Sequence, residues 1–544
     1  MRVDSSSNSS TAHSPRKPFG ENLIVVGSPQ LRRTRSGPRW RHTRTRTAVV
    51  AVLALLVSTT AWLSLIFSGT TTSCWHQFTH WEASRQGLHW ISKRRFSPLP
   101  DSPESPAHSV SKYPTEYYNL SGNGDEKELL LKHIVFGIAG SSQLWKKRKE
   151  FVRMWWRPHE MRGYVWLEEQ VVREDGDELL PPVMVSGDIS RFRYTNPTGH
   201  PSGLRISRIA TESYRLKLPH VRWFVLGDDD TIFNADNLVA VLSKYNAEEM
   251  VYIGSPSESH SANSYFSHSM AFGGGGIALS YPLAEALSVI HDDCIERYPK
   301  LYGSDDRLHA CITELGVPLT KENGFHQWDI RGSAHGLLSS HPIAPFVSVH
   351  HIQAVEPFFP QLSFMEGLRL FTKAMKAQPM SFLQRSICYD HERRLTFSVS
   401  LGYVVQVYPE IVLPRELERS EQTYSAWNKI KNRNEFDFDI RPSTKSICKK
   451  PILFFLKRIE RQENSTVGVY SKRVKRKDDL KRRVLCFPRQ IPLLSVHDIE
   501  VLGIPPHKNW HLAPRRLCCS LNQTGEANLR ISVRQCEKSA PSSV

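Results

Sequence analysis

The chain has 544 residues, enough for two or three domains, and its 40% hydrophobic and 23% charged residues exclude a wholly disordered protein. The formal net charge of +17 suggests a nucleic-acid partner, but residues 1–46 hold ten Lys and Arg against only Asp4 and Glu21. Because the excess left for the rest of the chain is modest, we expect no nucleic-acid partner.

The first two segments of the chain differ sharply in composition. Residues 1–46 are rich in Ser, Arg and Pro and are expected to form a disordered, basic tail. Residues 47–67 carry no charge, and their number matches the ~20 apolar residues that cross a bilayer core. A buried core helix and a cleaved signal peptide are the alternatives, but the segment has no polar face and starts far from residue 1.

Charge on either side of this segment predicts its orientation. Arginines precede it, whereas residues 68–81 contain no Lys, Arg, Asp or Glu. The positive-inside rule therefore predicts a single-pass membrane protein with a cytosolic tail and a lumenal remainder. Residues 68–125, with five prolines between Ser97 and Pro114, are expected to form an extended stem.

The cysteines and glycosylation sequons fit a lumenal location. All nine cysteines follow the predicted membrane span, where disulfides are permitted, and their odd number leaves at least one outside an intrachain pair. The sequons at Asn119, Asn464 and Asn522 lie on the same side and are expected to accept glycans, whereas the sequon at Asn8 is expected to stay bare.

Short apolar runs alternate with helical patterns from about Leu129 to residue 370, which predicts an α/β sheet with helices on both faces. Ligands of such sheets bind beyond the carboxyl ends of the strands. The predicted strands are Ile134–Ile138, Tyr164–Leu167, Val183–Val185, Trp223–Leu226, Val251–Ile253 and Ile277–Leu279. The predicted helices are Leu144–Trp156, Leu204–Leu216, Asn237–Lys244, Pro282–Glu296 and Asp306–Leu315.

Residues 371–544 have a different character. They hold six of the nine cysteines, and Phe397–Val407 and Pro451–Phe455 have the composition of strands. We expect a smaller, mainly β extension that is held together by disulfides.

The strongest local signal is a run of three acids, Asp228, Asp229 and Asp230, directly after the predicted strand Trp223–Leu226. Adjacent carboxylates repel, and each raises the pKa of its neighbour. A hard divalent cation removes this repulsion and can also hold the phosphates of a nucleotide. An acidic loop or a helix N-terminus remains the structural alternative.

Three further segments carry possible site residues. The glycines at 273–276 allow close approach of the backbone to a ligand, or simply form a flexible turn. Asp305 and Asp306 stand at a predicted helix start, where an acid either caps the helix or acts as a general base. His350 and His351 follow an apolar run, and a histidine there is either a metal ligand or a structural residue.

Taken in order, these segments resemble the Fringe-like branch of glycosyltransferase family 31, and within it the plant members that have a C-terminal extension of unknown function. The resemblance runs from about His133 to Pro360 and rests on HIVFGIAGSS, WFVLGDDD, FGGGGIALS, GSDDRLHACI and SVHHI. It implies a GT-A-type, nucleotide-sugar-binding α/β domain at 126–370. It also implies inverting transfer from a UDP-sugar with Mn²⁺ as the metal, in a Golgi membrane protein.

The resemblance also implies roles for the acidic and histidine residues. Asp230 corresponds to the direct metal ligand, and His351 to a second ligand, with His350 as the alternative. Asp306 corresponds to the catalytic base, with Asp305 as the alternative.

Other residues correspond to the nucleotide-sugar side of the site. Asp228 and Asp229 would serve the ribose, the sugar or metal-bound water. A disulfide between Cys294 and Cys311 is also implied. The remaining candidates for nucleotide-sugar binding are Arg148, Ala139, Gly140, Ser141, Gly274 and Gly275.

Two departures from the Fringe pattern concern the acceptor. The glycine run is longer than in Fringe proteins, and the extension after residue 370 has no Fringe counterpart. The expected activity is transfer of a sugar, either galactose or N-acetylglucosamine, to a hydroxyl group of a glycan or glycoprotein. The expected linkage is β-1,3. The alternative is a catalytically silent Golgi lectin or scaffold on the same fold.

Overall fold

The computed structural model describes residues 128–427, 435–473, 476–486, 494–523 and 529–541. The predicted tail, membrane span and stem at 1–125 lie outside these ranges. Within them, no helix is both long enough and apolar enough to cross a membrane.

The first part of the described chain alternates strands and helices. Its strands are β1 (Ile134–Ala139), β2 (Arg162–Leu167), β3 (Val183–Val185), β4 (Trp223–Asp228), β5 (Ile232–Phe233), β6 (Tyr252–Gly254), β7 (Ile277–Ser280), β8 (Leu319–Lys321), β9 (Phe325–His326), β10 (Ile330–Gly332) and β11 (Ser348–Val349). Its helices are α1 (Ser142–Trp155), α2 (Ser202–Ser207), α3 (Ile209–Arg215), α4 (Ala235–Leu242), α5 (His260–Tyr265), α6 (Tyr281–Arg297), α7 (Ser304–Glu314), α8 (His335–Leu338) and α9 (Phe364–Ala377).

A seven-stranded sheet forms the centre of this part, in the order β3-β2-β1-β4-β7-β6-β8. β1 pairs in parallel with β2 and β4, whereas β7 is antiparallel to both of its neighbours. β1 is buried along its whole length because helices cover both faces. Phe136 packs against Trp155 of α1 on one face, and Ala139 clusters with Ile209 of α3 on the other. The predicted α/β architecture is confirmed.

The predicted strands and helices of this part all occur, with small shifts at their ends. The predicted helix Leu204–Leu216 is two helices, α2 and α3, which meet at Arg208. The predicted disulfide between Cys294 of α6 and Cys311 of α7 is present.

A small three-stranded sheet, in the order β5-β11-β9, stands next to the central sheet. β11 pairs antiparallel with β5, with Ser348 opposite Phe233 and Val349 opposite Ile232. This register places the residues just after β11 beside those just before β5. It therefore brings the histidine pair to the acidic triplet.

The extension is mainly β structure, as predicted. Its strands are β12 (Arg385–Asp390), β13 (Leu395–Ser400), β14 (Val404–Tyr408), β15 (Ser420–Gln422), β16 (Tyr424–Ala426), β17 (Ile440–Pro442), β18 (Ile452–Gln462), β19 (Ser465–Lys472), β20 (Asp498–Gly503), β21 (Cys518–Gln523) and β22 (Leu529–Arg534). Its helices are α10 (Pro414–Glu418) and α11 (Arg476–Leu485).

Eight of these strands form one sheet, in the order β12-β13-β14-β18-β19-β20-β22-β21. The two edge strands are joined by the disulfide Cys388–Cys519, so the sheet curls back on itself. Two more disulfides, Cys448–Cys486 and Cys518–Cys536, lie in the extension, and Cys74 lies outside the described residues. The run Phe397–Val407, predicted as one strand, is instead a β13–β14 hairpin that turns at Gly402, where φ is +80°.

The two parts share a hydrophobic core. One cluster of buried side chains includes Phe136 of the central sheet, Phe371 of α9, and Val399 and Ile531 of the extension. A short pairing of β10 with β16 also links the parts. The extension therefore packs directly on the region that carries the acidic triplet.

Candidate active site

The acidic triplet lies at the carboxyl edge of the central sheet. β4 ends at Asp228, which is opposite Ala139 at the end of the parallel strand β1. Asp229 and Asp230 are only 1% and 3% exposed, so their charges require partners inside the protein. Thr231 closes the turn, because its hydroxyl accepts a hydrogen bond from the Asp228 N–H and donates one to the carbonyl of Gly274.

His350 is the histidine that meets the triplet. Its Nε2 atom lies 3.3 Å from Asp228 Oδ2 and 3.0 Å from Asp230 Oδ1. The ring lies directly on the backbone of Gly274, where a Cβ atom would be 2.1 Å from the imidazole. Donor atoms of Asp228, Asp230 and His350 all lie within 4.8 Å of one another, an arrangement that suits a divalent cation.

His351 occupies a different position from the one implied by the resemblance. Its backbone is left-handed, with φ at +52°, and its ring is not among the donor groups that gather at Asp228 and Asp230. Its Nδ1 atom is 3.0 Å from Asp329 Oδ1, and its ring stacks between His350, at 3.9 Å, and Trp427, at 4.5 Å. The geometry thus favours His350, the alternative, over His351 as the ligand beside Asp230.

Arg148 of α1 provides positive charge to the triplet. Its guanidinium donates a hydrogen bond of 2.7 Å to Asp229 Oδ1 and lies 3.4 Å from Asp230 Oδ2. Burial nevertheless raises the pKa of Asp228 to about 6. Burial also raises the pKa of Asp229 to about 7, although Arg148 acts to lower it. The available cations therefore do not fully compensate the buried carboxylates.

Asp230 and His350 form an ion pair. Burial alone would raise the pKa of Asp230, but His350 and Arg148 hold it well below its usual range. Burial would lower the pKa of His350, but Asp230 and Asp228 raise it to about 9. The 3.0 Å approach lacks hydrogen-bond geometry, and among the described residues Asp230 Oδ1 and Asp229 Oδ2 are buried without a hydrogen-bond partner. Such oxygens fit a bound cation, because metal coordination would satisfy them.

Asp305 and Asp306 both lie in the first turn of α7, but they face different ways. Asp305 accepts a hydrogen bond from the backbone N–H of Gly273, and it lines a small cavity together with Asp228 and Gly273. Burial raises its pKa, and the charge of His350 acts on it in the opposite direction. Asp305 is therefore part of the triplet's surroundings.

Asp306 points back along the chain. Its Oδ2 atom accepts a hydrogen bond of 3.3 Å from the Tyr302 N–H, as a capping residue does. Burial raises its pKa, and Arg307 and His309 are the charged neighbours that act on it. The geometry therefore favours Asp305, the alternative, over Asp306 as the carboxylate that faces the reacting centre.

An open cleft lies beside the triplet. Its walls include each of the predicted nucleotide-side residues Ala139, Gly140, Ser141 and Arg148, together with Asp228 and Asp229. The predicted loop glycines have a different use. Gly274 supports His350, and the Gly275 N–H donates a hydrogen bond to Gln327.

Four residues of this neighbourhood were not predicted from the sequence. Glu168 accepts hydrogen bonds from Ser141 and Ser142 at the start of α1, and buried Arg205 donates to the carbonyls of Gly140 and Trp166. Both line the cleft.

The other two unpredicted residues lie on the histidine side. Asp329 holds His351 and accepts a hydrogen bond of 2.6 Å from Ser257. Trp427, from the extension, stacks on His351 and carries the guanidinium of Arg331 4.3 Å from its ring centre. No local motif marks these residues, because their partners lie far away in the sequence.

Comparison with known proteins finds matches to two family models. A family model described as Fringe-like matches residues 184–333, which include the triplet, the glycine loop and Asp305. A second model, described as a protein of unknown function, DUF604, matches residues 262–519 and extends across most of the extension.

One curated relative and two solved structures add detail. A β-1,3-glucosyltransferase of Mus musculus is 31% identical over 107 residues, which make up 20% of this chain and 21% of the relative. The match thus spans about a fifth of that protein.

The crystal structure of mouse xyloside xylosyltransferase 1 in its apo form has 12% identity and a TM-score of 0.25, over 35% of this chain and 84% of that one. A glycosyltransferase involved in the glycosylation of the major capsid of PBCV-1 has 11% identity and a TM-score of 0.23, over 45% and 98%.

Proposed function

The chain belongs to the Fringe-like branch of glycosyltransferase family 31, and on that premise we propose that it transfers a sugar from a UDP-sugar to a hydroxyl group, with inversion at the anomeric carbon. One observation supports this proposal above the others. Asp228, Asp230 and His350 gather at the edge of a cleft that Arg148 lines, and Asp305 lies beside them.

The cleft beside the triplet suits the nucleotide part of the donor. Residues 139–141 line the cleft, and so does Arg148, whose guanidinium contacts Asp229 and Asp230. An Arg in this position suits phosphate oxygens, which accept hydrogen bonds from a planar guanidinium. Asp228, Asp230 and His350 would hold a divalent cation such as Mn²⁺, which supplies positive charge opposite the diphosphate leaving group.

Asp305 is the proposed general base. Its raised pKa means that it takes up a proton more readily than an ordinary aspartate, as a base must do. In the proposed reaction, Asp305 accepts the proton of the acceptor hydroxyl while the oxygen forms a bond to the anomeric carbon and the bond to UDP breaks. Holding donor and acceptor in line contributes further to the rate.

The donor sugar and acceptor are proposed by analogy. On the family resemblance, we propose that the enzyme transfers galactose or N-acetylglucosamine in β-1,3 linkage. The mouse relative adds glucose, since it is named a β-1,3-glucosyltransferase. The proposed acceptor is a glycan or a glycoprotein.

The proposed location is the Golgi membrane, with the catalytic region in the lumen. The uncharged segment 47–67 behind an arginine-rich tail supports a type II orientation. The sequon at Asn464 lies in the exposed turn between β18 and β19, where an oligosaccharide has room. Protease protection of intact microsomes tests the orientation: an N-terminal tag is digested and the rest is protected, whereas glycosylation at Asn8 would reverse it.

The activity is tested with purified protein and a panel of UDP-galactose, UDP-N-acetylglucosamine and UDP-glucose. UDP release is measured with and without Mn²⁺ and with mixed glycan acceptors. We expect release from one donor that requires both the metal and an acceptor, and that is lost in Asp305→Asn. UDP binding without transfer from any donor would instead support the silent lectin.

A further inference from the structure

A second group of metal-ligating side chains lies apart from the triplet. It consists of His260 and His268, from the segment between β6 and β7, and Asp437, from the extension. His260 Nδ1 lies 2.6 Å from Asp437 Oδ1, and His268 Nδ1 lies 3.4 Å from Asp437 Oδ2. The donor atoms of all three residues lie within 4.8 Å of one another. No motif identified from the sequence includes any of them.

The backbone around Asp437 is fixed to the catalytic part independently of the two histidines' side chains. The His260 N–H donates a hydrogen bond of 2.8 Å to the carbonyl of Glu435, and Ser259 forms an antiparallel bridge with Phe436. The Asn263 amide also donates a 2.8 Å hydrogen bond to Asp437 Oδ2. Asp437 is thus held close to both imidazoles, which lowers the cost of organising a site.

From this geometry we propose that His260, His268 and Asp437 bind a divalent transition metal, with zinc as the preferred ion. Two imidazole nitrogens and one carboxylate oxygen are ligands that zinc favours. Tetrahedral zinc at ~2.0–2.1 Å from each donor requires donor separations of roughly 3.4 Å. His260 Nδ1 is 2.6 Å from one oxygen of Asp437 and His268 Nδ1 is 3.4 Å from the other, so one oxygen reaches this spacing from both imidazoles once the carboxylate and the rings shift.

The site differs from the triplet in its chemistry and its access to solvent. The triplet is rich in carboxylates, which suit Mn²⁺, and Asp230 and His350 are buried. The second site has more nitrogen ligands, and its histidines are about half exposed, so an ion can enter from solvent. His268 and Asp437 also line the wall of a large cavity between the catalytic part and the extension. Three protein ligands leave a coordination position for water or another ligand.

The metal at this site would clamp the extension to the catalytic part. Its ligands come from both parts, and His260 and Asp437 are separated by 177 positions in the chain. An ion that binds only the folded arrangement stabilises it by mass action. This role does not depend on sugar transfer, so the proposal stands or falls separately from the proposed activity.

The test uses the full-length protein and Co²⁺ as a coloured substitute for zinc. Equilibrium dialysis and visible absorption are measured for the wild type and for Asp230→Ala, His268→Asn, Asp437→Asn and His391→Asn. We expect two bound ions in the wild type and one in Asp230→Ala. His268→Asn and Asp437→Asn should each weaken one site at least tenfold, while His391→Asn, at an exposed histidine outside the cluster, keeps both.

Thermal unfolding with zinc provides a second measurement. Zinc should raise the Tm of the wild type and of His391→Asn but not that of His268→Asn. Circular dichroism establishes that the variants fold, and His268 is exposed, so its replacement leaves the core intact. One bound ion in the wild type that His268→Asn retains, or two ions with unchanged affinity in His268→Asn, would overturn the proposal. The three side chains would then form an ion pair that joins the two parts without a metal.

Discussion

The two large sheets contribute to the site in different ways. In the central sheet, β1 and β4 end side by side at Ala139 and Asp228, and the residues that follow line the cleft. In the extension, β13 and β14 are buried along their length, and the two edge strands of the sheet are joined by Cys388–Cys519. There the contact with the site comes from the segment between β14 and β18, which pairs with β10 and brings Trp427 to His351.

This difference indicates that the central sheet and the extension have separate roles. The parallel strands of the central sheet place polar groups together at their carboxyl edge, which is where α/β sheets bind ligands. Among its described residues the extension supplies no carboxylate to the triplet, but through Trp427 it supports the histidine next to His350. We therefore expect changes in the central sheet to abolish chemistry, and changes in the extension to weaken binding or stability.

The largest effect is expected at the metal ligands of the central sheet. Asp230→Ala should abolish Mn²⁺-dependent binding of UDP, because it removes a buried oxygen ligand and leaves only Asp228 in contact with His350. His350→Ala should weaken this binding far more than His351→Ala, since His350 contacts two of the three aspartates. Calorimetry with UDP, with and without Mn²⁺, measures both. Equal losses in the two histidine variants would contradict the assignment of His350.

The next largest effect distinguishes the two acids of α7. Asp305→Asn should lower the rate of transfer by about 10²–10⁴-fold, because an amide cannot accept the proton. Asp306→Asn keeps an oxygen that can cap the helix, so it should cost at most about 1 kcal/mol of stability and leave the rate nearly unchanged.

Single-turnover rates and thermal unfolding of both variants provide the measurement. UDP affinity in Asp305→Asn serves as the control for an intact site. If Asp305→Asn is active and Asp306→Asn is inactive, the general base is Asp306 instead of Asp305. Activity in both variants and in the double variant would place the base elsewhere.

For the extension, the disulfide between the edge strands is the strongest test. Replacing Cys388 and Cys519 together by Ser should lower the free energy of unfolding by about 2–5 kcal/mol, because the unfolded chain regains the freedom of a long loop. Denaturant titration measures the change, and activity per folded molecule should persist. The disulfide between Cys518 and Cys536 closes a much shorter loop. Replacing both of these cysteines by Ser should therefore lower the free energy of unfolding by a smaller amount. Loss of activity in a fully folded Cys388/Cys519 variant would show that the extension acts on the chemistry directly.

The smallest expected effect concerns Trp427. Trp427→Leu removes the ring that stacks on His351, which in turn stacks on the proposed ligand His350, so Mn²⁺ affinity should fall by less than the ~10–100-fold that is typical when a direct partner of a metal ligand is lost. Trp427→Phe keeps an aromatic surface and should retain most of the affinity. Calorimetric titration with Mn²⁺ compares the two variants. An unchanged affinity in Trp427→Leu would limit the extension to a stabilising role.

Much of the central part could be predicted from local patterns. Apolar runs bounded by helical segments identified the strands of the sheet, and the triplet followed one of them directly. The predictions for 204–216 and 397–407 were less accurate, because a break at Arg208 and a turn at Gly402 interrupt patterns that otherwise continue. Such breaks depend on single backbone angles, to which hydrophobic periodicity is insensitive.

The sequence by itself determined which residue types meet at the site, since Asp228 to Asp230, the glycine loop, Asp305 and Asp306, and the histidine pair all stand in short motifs. Only the tertiary structure decided which member of each pair faces the centre. His350 lies against Asp228 and Asp230, whereas His351 lies against Asp329. Asp306 accepts a hydrogen bond from the Tyr302 N–H at the first turn of α7. The structure alone also brought Trp427 and Asp437 to the catalytic part. Their positions depend on pairing between segments far apart in the chain, which no local spacing records.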